Sequence, residues 1–324
     1  MRIFLRFIAL HFLAGLLFVW VFRDNLLEVV ALIGGAFPGS IAFFLERAWW
    51  VPAIFLVLFS FIPRANLLPR IPEAFLAMLA CSLFFLMFTV LKTSLPYVVP
   101  FYADPFFAEL DRVLHFGIDP WRITHVFADF VPVWLAEKIY TGLWLIPSMY
   151  LPVFLVLFDA DRERIKRFLY LFLFAWAGIG NVLALAFMSA GPVFYDRLFG
   201  GDRFAPMMDA LADTGVMESK VGGIYEMLWN TYYAGGQTIG SGISAFPSVH
   251  IAMVMVIALY LFERSKMLLP LSISLVFIYV FLSVHFGWHY AIDGYFSVAL
   301  VFAYWVFLRR RAGSNPSLQT SVTG

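Results

Sequence analysis

The sequence predicts an all-α protein, a polytopic bundle of membrane helices. Three observations carry that reading. The 324 residues are 62% hydrophobic and only 13% charged, more apolar surface than a water-soluble domain of this length can hide, so lipid must solvate most of it. The apolar residues fall into runs close to the ~20 residues that a helix needs to cross a hydrocarbon core. The basic residues between these runs gather on one face when the runs are threaded in order.

The first run, MRIFLRFIALHFLAGLLFVWVF, has two arginines, no A-x-A-like site before Arg23 and an apolar stretch long for a signal peptide; it reads as an uncleaved membrane segment. Further spans are expected at roughly 74–99, 133–158, 167–189, 246–262, 267–286 and 288–308, after the first at 3–22. Between Leu26 and Ile62 lie two weaker candidates, interrupted by GGAFPGS and by Glu46-Arg47, so eight or nine crossings are expected. Residues 101–132 mix acids with aromatics, as interfacial helices do, centred on 103–130. Residues 159–167 form a short charged loop, and 190–245 a long one rich in Gly, Asp and Tyr. The chain thus divides into N-terminal membrane helices (1–100), a membrane domain (101–311) and a disordered tail (312–324).

Arg162, Arg164, Lys166 and Arg167 share one loop, Arg264 and Lys266 another, and Arg309 to Arg311 follow the last span. The spans put all three clusters on one face, which is then cytoplasmic, with the C-terminus; FPSVH and VHFGWHYAID open on the extracytoplasmic face. A net charge of +1 gives no sign of nucleic acid binding. The single cysteine, Cys81, excludes an intrachain disulfide framework and reads as a small buried hydrophobe.

His250, His285 and His289 fall in the last quarter, and Asp293 follows His289 by four residues. On a continuous helix that pair shares a face and can hydrogen-bond. Ionisable groups in membrane helices are costly and usually face a cavity that serves function. An aspartate beside a histidine fixes its tautomer and makes the far ring nitrogen a better base or nucleophile, while a second histidine can protonate a leaving group. Upstream, GSGISAFPSVH (240–250) brings Gly242, Ser244 and Ser248 to a helix N-terminus, where anions are stabilised. Together these groups suit phosphoryl transfer through a phosphohistidine.

FPSVH before one helix and HFGWHYAIDG at the start of a later one resemble the type 2 phosphatidic acid phosphatase superfamily, which carries P-S-x-H and then H-x-x-x-D. The chain is most similar to its inositol phosphorylceramide synthase branch, on ADPFFAELDRVLHFGIDP (103–120), IYTGLWLIP (139–147) and SAGPVFYD (189–196). The resemblance spans roughly 101–308. It implies a six-helix core with additional N-terminal helices, His289 as nucleophile, Asp293 orienting it, and His250 as acid and then base. Ser248 and nearby amides would hold phosphate oxygens, with no metal or other cofactor. The partners it implies are membrane lipids: a phospholipid donor and a ceramide-like or other lipid alcohol. Hydrolysis of a lipid phosphate is the alternative, since water can also attack a phosphohistidine.

The superfamily's K-x6-R-P is absent, and Ser283 stands where an arginine precedes the nucleophilic histidine. Arg112, Lys138, Arg197 and Lys220 are candidate replacements, with Arg112 preferred because its segment matches the branch. His285 extends the pair to an H-x3-H-x3-D ladder: it could contact phosphate, serve packing, or join a metal site, although residues 285 and 293 diverge on a helix. Tyr195 and Asn181 are polar points at the same mouth, Asn181 as interhelical glue. His11 and His115 read as structural or interfacial. Two other readings stay open: an intramembrane serine hydrolase using Ser241 or Ser244, and a His/Asp transporter, for which no internal repeat is seen.

Overall fold

The computed structural model describes residues 1–53, 64–237 and 240–313, and every regular element among them is a helix. In chain order these are α1 (Arg2–Phe22), α2 (Leu26–Ala53), α3 (Leu68–Tyr97), the short α4 (Asp104–Leu114) and α5 (Pro120–His125), α6 (Val133–Phe158), α7 (Arg162–Ala186), the short α8 (Pro192–Phe199), α9 (Ala205–Asp213) and α10 (Lys220–Tyr233), then α11 (Val249–Arg264), α12 (Lys266–His285) and α13 (Ala291–Gly313). Seven of them, α1, α2, α3, α6, α7, α12 and α13, are long and apolar enough to cross a membrane. With 16 residues, α11 rises about 24 Å and joins the same two ends of the bundle, an eighth crossing. This is a multi-pass membrane protein.

Ion pairs tie one end together. Arg167 meets Glu263 at 2.9 Å, and the Trp305 indole donates to the same carboxylate at 2.6 Å, joining α7, α11 and α13. Arg164 and the Tyr260 hydroxyl donate to Asp159 at 2.7 and 2.8 Å, and Arg70 donates to the Asp159 carbonyl at 2.6 Å. Burial pushes the Asp159 carboxyl up, but these donors outweigh it and hold it below the usual carboxylate range. The three basic clusters of the sequence therefore do share one face. At the opposite end Arg23 lies over the Tyr97 ring at 3.6 Å, and Asn25 donates to Gln237 at 3.4 Å, so the α1–α2 turn, the end of α3 and the segment before α11 meet there.

Six helices, α3, α6, α7, α11, α12 and α13, make the core, and α1 and α2 flank α3. Lipid is as apolar as leucine, so close packing rather than water exclusion holds such helices together. Aromatic residues supply it: Phe85 of α3 meets Trp176 of α7 edge-on at 4.6 Å, and Phe44 of α2 lies 4.7 Å from Tyr150 of α6. Cys81 is fully buried among them.

Two readings of the sequence need correction. The long loop 190–245 is largely helical, holding α8, α9 and α10. Its helices are too short for a periodic apolar pattern to stand out; they begin at Pro192, at Pro206 or at the capping side chain of Ser219, and end near Gly200, Gly215 and Gly235. In the first quarter α2 runs unbroken through GGAFPGS, but its regular helix ends at Arg47, the second expected interruption, before a further helical turn reaches Ala53. The remainder of the second candidate there, and the tail from residue 314, lie outside the described residues.

The Arg167–Glu263 pair yields a test of this end of the bundle. Arg167→Ala leaves a largely buried carboxylate with only the Trp305 donor and should lower stability by about 2–4 kcal/mol; Glu263→Gln in the same chain should recover part of it. Thermal unfolding in detergent micelles measures both, and an Arg167→Ala protein as stable as the parent would refute the assignment.

Candidate active site

At the end of the bundle away from the basic clusters, the starts of α11 and α13 are stitched together. Ser248 caps α11, its Oγ accepting from the Ile251 N–H at 3.3 Å, and its own N–H donates to the Asp293 carbonyl at 3.3 Å. The same Oγ lies 3.1 Å from His289 Nε2. His289 Nδ1 lies 3.1 Å from Asp293 Oδ2, which also accepts the Tyr290 N–H at 3.1 Å. A carboxylate only accepts, so Nδ1 carries the ring proton and Nε2 is left as the lone-pair nitrogen, toward which the Ser248 hydroxyl donates.

The pairing of His289 with Asp293 holds, but not on one helix. The chain leaves the helix at His285, turns through 286–290, and starts α13 at Ala291. His289 therefore sits in the turn, above the first turn of α13 that carries Asp293.

His250, in the first turn of α11, is held by α6. Its ring lies parallel to the Trp144 indole, 3.6 Å between centroids, and to the Tyr140 ring at 4.7 Å; the Trp144 indole N–H donates to the His250 carbonyl at 3.2 Å. Tyr140 belongs to a π-helical stretch of α6, Lys138–Leu143, which resets the angular position of its side chains relative to a regular helix. His250 and His289 line one cavity of about 200 Å³, together with Gly242, Ser244, Trp288 and Lys92.

Behind this site two buried carboxylates act as braces. Asp104 and Asp111, seven residues apart, lie on one face of α4. Asp104 accepts from the Ser189 hydroxyl (2.9 Å), the Ala190 and Gly191 N–H groups (2.8 Å each) and the Tyr290 hydroxyl (3.1 Å). Asp111 accepts from the Ala291 and Ile292 N–H groups at 3.0 and 3.1 Å, capping α13. Burial pushes both carboxyls up, Asp111 to about 6, against the lowering effect of these bonds. The approach demands glycine at 191: its φ is +90°, and a Cβ there would come within 2.4 Å of the Trp288 carbonyl oxygen.

The structure brings together His250, His289, Asp293, Ser248, Gly242 and Ser244, although Ser248 is fully buried behind His289 and off the cavity wall. It does not bring in the other three candidates. His285 packs against His125 (4.5 Å) and Phe281 (5.7 Å), and the His125 ring bonds its carbonyl at 2.8 Å, so the histidine ladder does not converge. Arg112 lies on the outer face of α4, paired with Glu109 at 2.8 Å. Tyr195 packs on Phe199 and Phe204. Nor do the other cations reach the cavity: Arg197 pairs with Glu226, Lys220 with Glu137, and Lys138 is exposed. Among the described residues the Asn181 side chain has no hydrogen-bond partner, so no interhelical bond is seen for it there.

The cation on the wall is Lys92 of α3, which the sequence reading passed over because it precedes the recognised motifs. Its signal was available: it is a charged residue inside an apolar run. Gly242 lies against it, with φ +113° and room for no more than a hydrogen, since a Cβ would meet Lys92 Cγ at 3.0 Å. His125, Asp104, Asp111, Tyr140 and Trp144 were missed as well. The last four fall inside the segments ADPFFAELDRVLHFGIDP and IYTGLWLIP, and give those segments a mechanical role.

A family model described as the PAP2 superfamily matches residues 105–307, more than half of the chain. The chain belongs to the PAP2 superfamily. Membership implies phosphatase or phosphotransferase chemistry on phosphate esters. No curated protein and no solved structure matches the chain. The PAP2 match contains His250, His289, Asp293 and Asp111; Asp104 lies one residue before it, and α1, α2 and α3 precede it.

The brace at the start of α13 can be tested directly. Asp111→Ala strands two N–H groups and should cost about 2–4 kcal/mol of stability, with Asp111→Asn milder because an amide oxygen still accepts one of them. Thermal unfolding in micelles decides; a change in Asp111→Ala within about 0.5 kcal/mol would make the carboxylate a bystander.

Proposed function

We propose that the protein is a membrane phosphotransferase that moves a phosphoryl-linked headgroup between lipids through a phosphohistidine at His289. The observation that carries this reading is the hydrogen-bond line from Asp293 through His289 to a lone-pair Nε2, in a cavity shared with His250. Nε2 attacks phosphorus, the bond from phosphorus to the departing lipid alkoxide breaks, and the imidazolium form of His250 gives that oxygen its proton. The parallel Trp144 and Tyr140 rings hold the plane of that imidazole. Asp293 keeps the Nδ1 proton and stabilises the positive charge that His289 gains. In the second half, neutral His250 takes the proton of an acceptor hydroxyl, the acceptor oxygen bonds to phosphorus, and the P–N bond breaks. Backbone N–H groups at the start of α11 stabilise the phosphate oxygens, while buried Ser248 positions His289.

An inositol phosphorylceramide synthase-like reaction, with a phospholipid donor and a ceramide-like or other lipid alcohol as acceptor, is the favoured form. Its support is that all three segments shared with that branch have work in the site: 103–120 supplies the braces, 189–196 three of the donors to Asp104, and 139–147 the rings on His250. A lipid phosphate phosphatase of the same superfamily differs only in taking water as acceptor. The basic clusters at the far end favour a site facing the extracytoplasmic side, with the C-terminus in the cytoplasm.

One second reading has a specific observation behind it: Ser248, His289 and Asp293 are spaced as a serine hydrolase triad. Against it, the Ser248 hydroxyl caps a helix and has no exposure.

Purified protein on labelled phospholipid, with and without ceramide or diacylglycerol and in excess EDTA, tests the proposal. Turnover should survive EDTA, fall to background in His289→Ala, and drop by roughly 10²–10⁴ in His250→Ala. Ser248→Ala should keep measurable turnover, and a fluorophosphonate probe should leave Ser248 unlabelled. Parent-level turnover in His289→Ala, or loss of turnover with chelator, would sink this mechanism.

A further inference from the structure

Lys92 occupies an unusual position. It lies near the end of α3, a membrane helix outside the residues matched to the superfamily, and no carboxylate among the described residues lies within ion-pairing distance of it. Among the described residues its ammonium meets only the face of Phe88, at 5.8 Å. A cation in a membrane helix without an anion is expensive, and such residues mark the path of a charged substrate. The superfamily's own phosphate cations are absent from this sequence, and the four replacements weighed from it point elsewhere.

Lys92 also stands at a junction. On one side is the cavity of the two histidines; on the other is a chamber of about 640 Å³, within the ~300–1,000 Å³ typical of ligand pockets. Its walls come from five membrane helices: Gly39 and Phe43 of α2, Phe85 of α3, Met149 of α6, Trp176 of α7 and Val249 of α11. Lys92, Gly242 and His250 line both spaces. A hydrocarbon-lined volume at membrane depth thus ends at an unpaired ammonium beside the reacting histidines, an arrangement complementary to an amphiphile with an anionic head.

We propose that Lys92 binds the phosphate of a lipid phosphoester whose hydrocarbon chain fills this chamber, so that the helices preceding the family region complete the active site. The proposal rests on the phosphotransfer reading for its purpose, but binding breaks no bond, so it can be tested apart from catalysis. The probes are inorganic phosphate and hexadecyl phosphate, bound to the full chain in lipid nanodiscs. In the parent, hexadecyl phosphate should bind far more tightly than phosphate, since each buried methylene adds about fourfold.

Lys92→Met should weaken both probes roughly 10- to 100-fold, whereas Lys92→Arg, which keeps the charge and much of the stem, should retain binding within about tenfold. At Gly39 a Cβ meets nothing within 4 Å, so Gly39→Phe can occupy the chamber without disturbing the helix. It should weaken hexadecyl phosphate at least about tenfold and leave inorganic phosphate unchanged. Unchanged phosphate affinity in a folded Lys92→Met protein would overturn the role of the lysine. Unchanged hexadecyl phosphate affinity in Gly39→Phe would overturn the chamber, and a parent that binds neither probe overturns both. If both roles hold while His289→Ala still turns substrate over, the site stands and the phosphohistidine falls.

Discussion

A carboxylate buried among membrane helices finds no help from lipid; every partner it has must come from the protein. Three such groups, Asp104, Asp111 and Asp293, organise the working end of this molecule. Asp104 fastens the segment after α7, and Asp111 fastens the first turn of α13. Asp293, between them, spends one oxygen on the His289 ring and the Tyr290 N–H, while its other oxygen has no hydrogen-bond partner among the described residues. The geometry of His289 is thus set by backbone donors held from α4, a helix that contributes no group to the cavity wall.

The same economy explains the second histidine. His250 lies one turn inside α11, where a free imidazole would have several rotamers, and the rings of Tyr140 and Trp144 restrict it to one plane. Two reacting groups from the adjoining starts of α11 and α13 are each fixed by a neighbour already required for packing. A phosphoryl transfer gains most of its rate from such positioning and from charges placed in advance.

Much of this was legible in the sequence. Runs of apolar residues and the parity of the basic clusters gave the crossings and their common face, because both follow from the properties of a bilayer rather than from tertiary detail. Spacing alone paired His289 with Asp293. It did so for an incomplete reason: the four-residue interval was read on a helix, whereas the histidine lies in the turn and meets the aspartate across a helix start. What stayed hidden depends on contacts between distant segments. Nothing local marks Asp104 as the partner of residues 189–191, or says that Arg112 faces outward while its neighbour Asp111 faces in. Lys92 lies outside every motif, and a cation that serves a site need not lie near it in sequence. Short helices such as α9 escaped because eight to ten residues carry too little periodicity to distinguish them from a loop.

The central claim is that phosphorus is bonded for part of the reaction cycle to His289 Nε2. The most direct measurement is to mix the protein with phosphorus-labelled donor lipid in the absence of an acceptor, quench in alkali, where phosphohistidine survives, and map the label by peptide mass spectrometry. The account predicts label on His289, absent from the His289→Ala protein and discharged when a lipid alcohol is added before the quench. Label on Ser248, or turnover with no labelled protein at any time, would contradict it.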